Sequence, residues 1–116
     1  MDTITAVPAL AALAQPSRLA VFRWLVELGP EGACPGDIAE KLDIPANTLS
    51  FHLKALQHAN LIDAVRTGRF IRYRANFGVM QELVDFLSKN CCGGDPSKCA
   101  PVCAPSTDKA ASGGSK

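Results

Sequence analysis

At 116 residues the chain has room for one compact domain and not for two ordinary ones. Its net charge of +1 conceals a gradient: residues 1–45 hold 3 basic and 6 acidic side chains, residues 46–74 hold 5 and 1, and residues 75–116 hold 4 of each. A cationic middle third suits a polyanionic partner, while the lack of a basic stretch leading into a long apolar run, and of any window near the roughly 18 apolar residues of a membrane span, argues against export or membrane insertion and for the cytoplasm.

Val7, Leu10, Ala11 and Ala14 recur at helical spacing and stop at Gln15-Pro16, which predicts a short first helix. Pro16 suits the first turn of a second helix with Leu19, Phe22, Leu25 and Val26 as its apolar stripe and with Arg18, Arg23 and Glu27 facing water. Gly29-Pro30 closes it. A third short helix over residues 36–42 turns Ile38, Ala39 and Leu42 inward and breaks at Asp43-Ile44-Pro45. The fourth starts near Ala46 or Asn47 and buries Leu49, Leu53 and Leu56, leaving Thr48, Ser50, Phe51, Lys54 and Gln57 on other faces. Asn60 stands where a left-handed residue is needed to end it.

From Leu61 to Ala75 the period becomes that of strands, with Ile62, Ala64 and Val65 before a Thr67-Gly68 turn and Phe70, Ile71 and Tyr73 after it. Phe77, Met80, Leu83, Val84 and Leu87 describe a fifth amphipathic helix ending near Asn90. Residues 1–90 are read as one folded domain, residues 91–103 as a thiol-rich segment, and residues 104–116, rich in Ala, Ser, Gly and Pro, as a disordered tail.

Two short helices joined by a tight turn and followed by a basic two-stranded ribbon make a winged helix-turn-helix, a mainly α fold of five helices with one small β-hairpin. The third helix would brace and the fourth would enter the major groove of DNA. On the fourth helix Ser50 and Thr48 can donate or accept, His52 and Gln57 can do both, and Phe51 can pack on a thymine methyl. Lys54, Arg66 and Arg69, with Arg72 as a further candidate, would hold phosphates. The DNA-facing set is therefore Asn47, Thr48, Ser50, Phe51, His52, Lys54, Gln57, Arg66 and Arg69. A solvated basic face on an ordinary helical domain is the bland alternative, and His52 could equally pack against the brace helix.

The run Thr48-Leu49-Ser50-Phe51-His52-Leu53-Lys54-Ala55-Leu56, then Ala59-Asn60-Leu61-Ile62 and Arg66-Thr67-Gly68-Arg69 with Tyr73, resembles the ArsR/SmtB family of metal-responsive winged-helix repressors. Gln15-Pro16-Ser17-Arg18 adds to the resemblance, which covers Val7 to about Cys99. It implies a homodimer that binds an imperfect inverted repeat of operator DNA and leaves when a metal or metalloid binds. In this family the first and last helices usually form the dimer interface. The chain departs from the family pattern at Asn60, commonly Gly, and at Phe51, often a polar residue such as Gln.

Five cysteines, Cys34, Cys91, Cys92, Cys99 and Cys103, are an odd number without an export signal, which favours reduced thiols that bind metal or sense redox state. One arsenic-sensing subgroup uses three cysteines at the third helix, of which only Cys34 is kept, with Gly36 and Ala39 at the others. Zinc sensors that use the last helix need His, and residues 77–89 offer Glu82 and Asp85 alone. Cys91-Cys92-Gly93-Gly94 with Cys99 resembles a second arsenic-responsive subgroup, which implies As(III), or Sb(III), as inducer held by Cys91, Cys92 and Cys99. Trivalent arsenic is thiophilic and prefers three sulfurs in a pyramid, whereas zinc prefers a tetrahedron. Cys103 is a spare thiol or an auxiliary ligand. A zinc, cadmium or redox sensor using the same thiols is the nearest alternative, and unpaired tail thiols the plainest one. No enzyme is expected: a thiol enzyme needs a base or an anion loop, and only Lys89 and Lys98 stand near. No organic cofactor and no membrane partner are expected.

Overall fold

The structure, a computed structural model, describes residues 1–94. Its elements are α1 (Thr3–Leu13), α2 (Pro16–Leu28), α3 (Pro35–Leu42), α4 (Ala46–His58), β1 (Ile62–Thr67), β2 (Phe70–Ala75) and α5 (Phe77–Ser88), with 3₁₀ turns at Gly29–Glu31 and Cys91–Gly94. They fall into two units, Met1–Leu83 and Val84–Lys116, and α5 runs across the division. Cys99, Cys103 and the tail over residues 104–116 lie outside the described residues. Among the described residues no single helix is long and apolar enough to cross a membrane.

Helix boundaries follow local chemistry. Pro16 forces Gln15 out of the helical region, to φ −147° and ψ 128°, and the Gln15 side chain then accepts from the Arg18 N–H at 2.8 Å as the cap of α2. Asp43 closes α3 in the left-handed region at φ 56°. Asn60, at φ 64°, closes α4: its N–H donates to the Gln57 carbonyl at 2.9 Å, and Leu61 N–H donates to Leu56 O at 3.0 Å. This is a Schellman cap, and the two residues whose apolar contact commonly accompanies it, Leu56 and Leu61, both belong to the buried core.

The core of the first unit gathers Val21, Phe22 and Leu25 of α2, Ile38 of α3, Leu49, Leu53 and Leu56 of α4, and Leu61 and Ile62. Three expectations need correction. Leu19 is 43% exposed and Val21 takes its place in the core, because the buried face of α2 lies on the 21, 22 and 25 row. Arg18 is not a fully solvated cation: it is half-buried, and its Nε donates to the Ala12 carbonyl at 2.7 Å. The hairpin turn is one residue later than expected. Thr67 pairs with Phe70, so Gly68-Arg69 forms the two-residue loop, and positive φ (62°) at its first position alone is the type II′ pattern.

The wing is tied to the connection before α3. Ala33 and Tyr73 exchange both backbone hydrogen bonds, at 2.9 and 2.8 Å, adding a one-residue third strand to the hairpin. Gly32 allows this approach, since a Cβ there would collide with the Tyr73 carbonyl. Its backbone, at φ 64° and ψ −156°, lies in a region essentially restricted to glycine.

Candidate nucleic-acid interface

Helix α4 sorts its side chains by period. Leu49, Leu53 and Leu56 are buried, while Asn47, Thr48, Ser50, Phe51, Lys54 and Gln57 are exposed. Phe51 is 77% exposed, which costs apolar hydration and is the opposite of what a core-seeking ring would do. Asn47 is partly occupied, its Oδ1 accepting from the Thr48 N–H at 2.9 Å. That bond satisfies one first-turn donor of a helix whose cap residue, Pro45, offers no side-chain acceptor.

His52 stands apart from this row. It is half-buried and its Nδ1 is enclosed with no hydrogen-bond partner. Burial, and secondarily the charge of Arg18, hold its pKa below the ordinary 6.5, so the ring is neutral at neutral pH. It can therefore offer DNA one edge at most, as a hydrogen-bonding group and not as a cation.

The cations of the wing differ in their surroundings. Arg66 on β1 and Arg69 in the turn are exposed. Arg72, a further candidate for phosphate, is instead spent on structure: its Nε donates to Glu31 O at 2.9 Å and its Nη2 to Gly32 O at 3.1 Å, with Nη1 at 3.9 Å from the Cys34 sulfur. Two residues of this surface were missed by the sequence reading. Phe70, 65% exposed beside the turn, was read only as a strand residue, and Arg74 is exposed on the same hairpin face as Asp63, its register partner. The strand register, not composition, is the signal that reveals them.

The thiol residues divide as well. Cys34 is half-buried at the residue preceding α3. Cys91 and Cys92 are consecutive in the 3₁₀ turn that follows Asn90, and Cys91 is half-buried. Among the described residues no group of three or more His, Cys, Asp or Glu side chains converges on a common point. The third expected ligand, Cys99, lies outside them.

A helix-turn-helix domain family matches residues 13–65, the stretch from the end of α1 through α4 into β1. The chain is 31% identical over 88 residues to the HTH-type transcriptional regulator YbzH of Bacillus subtilis, covering 66% of this chain and 88% of that one. It is 34% identical over 65 residues to the HTH-type transcriptional repressor SmtB of Mycobacterium tuberculosis, covering 56% of this chain and 46% of SmtB, so it spans about half of that relative. Among solved structures, an ArsR-like transcriptional regulator from Rhodococcus superposes with a TM-score of 0.67 at 28% identity, covering 79% of this chain and 84% of that one.

Proposed function

This chain belongs to the ArsR/SmtB family of helix-turn-helix transcriptional regulators, and from that premise we propose that it is a homodimeric repressor that binds operator DNA and releases it when trivalent arsenic or antimony binds its cysteines. The observation that carries the DNA half is the exposed row on α4, Thr48, Ser50, Phe51, Lys54 and Gln57, laid over a fully buried leucine stripe and accompanied by the exposed Arg66 and Arg69 of the wing. A rigid helix with donors, acceptors and an aromatic ring outward reads base edges, and cations on a hairpin hold phosphates.

Dimerisation is supported by apolar side chains left in water. Ile4 (83% exposed), Val7 and Leu10 follow one another at helical spacing on α1. Phe77, Val84 and Leu87 (60% exposed) do so on α5. Each stripe repeats along one helix instead of being scattered singly, and a second copy of the chain is the occupant a two-fold arrangement supplies. Two copies of α4 then meet successive major grooves.

The inducer half rests on chemistry. Cys91 and Cys92 stand side by side, Gly93 (φ 69°) turns the chain beyond them, and Cys99 follows seven residues after Cys92. Three thiolates match the ligand preference of a soft trivalent ion, which on binding supplies three sulfur bonds and no redox step. By linkage, whatever factor the metalloid takes from DNA affinity, DNA takes from metalloid affinity.

The test is a DNA mobility-shift titration with arsenite, antimonite, zinc and cadmium on the native protein and on Cys91→Ser and Cys92→Ser. The native complex should dissociate with arsenite or antimonite, and both variants should bind DNA without releasing it. Normal arsenite release by the double variant would sink the thiol assignment, and release by zinc or cadmium alone would transfer the site to those ions.

A further inference from the structure

A groove of about 670 Å³ runs between the corner joining α1 to α2 and the flank of α4, inside the unit Met1–Leu83. Ala12, Ala55, Ala59 and the Phe51 ring give it apolar walls. Its size lies within the roughly 300–1,000 Å³ of small-molecule sites. Among the described residues, the charges that line it are Arg18 and Lys54, joined by the imidazoles of His52 and His58, and none of these lining residues is a carboxylate.

Arg18 is oriented but under-used. Its Nε is fixed by the Ala12 carbonyl at 2.7 Å, and among the described residues its remaining donors take no protein partner. A half-buried guanidinium held in one plane presents the fork that accepts a carboxylate in two parallel hydrogen bonds. Beside it the neutral His52 ring lines the same groove and keeps an enclosed Nδ1 without a hydrogen-bond partner.

We propose that this groove binds an organic acid, with an acyl or aryl body on the alanine and phenylalanine walls and its carboxylate on Arg18. The occupant is chosen by complementarity. A neutral apolar molecule would leave a partly desolvated guanidinium unpaired, and a bare inorganic anion would leave the apolar walls wet. Phe51 and Lys54 also belong to the row assigned to DNA, so acid and DNA compete for the same helix flank. That competition, though not the binding itself, rests on the function proposed above.

The experiment is a calorimetric titration of the full chain with decanoate, with decanol as its uncharged twin. One decanoate per chain should bind saturably, roughly tenfold or more weakly for decanol and for Arg18→Gln, since a charged hydrogen bond is lost in each. Ala55→Trp, whose indole fills the groove, should not bind, while its thermal unfolding midpoint shows that it is folded. Failure of the native protein to bind saturably, equal affinity for decanol, or unchanged binding by folded Ala55→Trp would overturn the proposal. So would binding that emerges only on dilution of the dimer, which would give the groove to a second copy. Normal DNA binding together with absent decanoate binding would overturn this inference and leave the repressor reading standing.

Discussion

Helix α4 and the wing both turn cations outward, but they place their side chains by opposite means. In α4 each side chain is sorted by neighbours three or four residues away, so Leu53 is buried and Lys54 exposed by helical period alone. In the wing, placement depends on partners some forty residues distant: Ala33 with Tyr73, and Arg72 with the Glu31 and Gly32 carbonyls. The two regions therefore differ in what a count of basic residues means. On α4 exposed charge is available charge, whereas in the wing one arginine of the cluster is a structural cross-link.

The sharpest way to test that contrast on α4 is to alter adjacent positions. Leu53→Ala should cost about 3 kcal/mol in urea denaturation, as expected for a leucine truncated in a packed core. Lys54→Ala should change stability by less than about 0.5 kcal/mol and lower the salt dependence of DNA binding by about one unit of log–log slope per lost phosphate contact. Similar stability losses from both would erase the distinction. In the wing, Gly32→Ala places a Cβ against the Tyr73 carbonyl in a backbone region that side chains avoid. It should cost about 2–3 kcal/mol by the same measurement.

Within the basic cluster, Arg72→Ala should destabilise by about 1.5 kcal/mol through the loss of its charged hydrogen bonds to two carbonyls. Arg69→Ala, at the exposed turn, should leave the unfolding midpoint unchanged and flatten the salt dependence. The reverse pattern would mean that Arg72 serves DNA and Arg69 the fold. The smallest effect belongs to His52. Its folded pKa lies below 6.5 because burial, then Arg18, disfavours the imidazolium, so at acid pH the unfolded chain binds more protons than the folded one. Stability should hold above 6.5 and decline as pH falls from there through the folded value. His52→Phe should remove that part of the pH dependence, and an unchanged stability–pH curve would contradict the enclosed ring.

What the sequence disclosed follows the same division. The helices, their breaks at Gln15-Pro16 and Asp43-Ile44-Pro45, and the Asn60 cap were legible because each is decided within a turn or two of chain. The position of the hairpin turn was not, since Gly68-Arg69 becomes the loop only through the pairing of Ile62 with Ala75 and Thr67 with Phe70. Arg18 and Arg72 were misjudged for one shared reason. Each looks like a solvated cation until a backbone carbonyl from another element comes within 3 Å, as Ala12 does for Arg18 and Glu31 for Arg72. Phe70 escaped notice because an aromatic residue in a strand is ordinarily half-buried, and this one lies at the exposed end of its ladder.

The central claim is that the outward row of α4 and the tip of the wing together hold DNA. It is tested most directly by fluorescence anisotropy over a salt series, with duplexes selected by the native protein from a random library. The comparison is between the native chain and the triple variant Lys54→Ala, Arg66→Ala, Arg69→Ala. The account predicts an unchanged unfolding midpoint, a large loss of affinity and a log–log salt slope reduced by about one for each phosphate contact removed. A folded triple variant that binds with native affinity and native slope would contradict it.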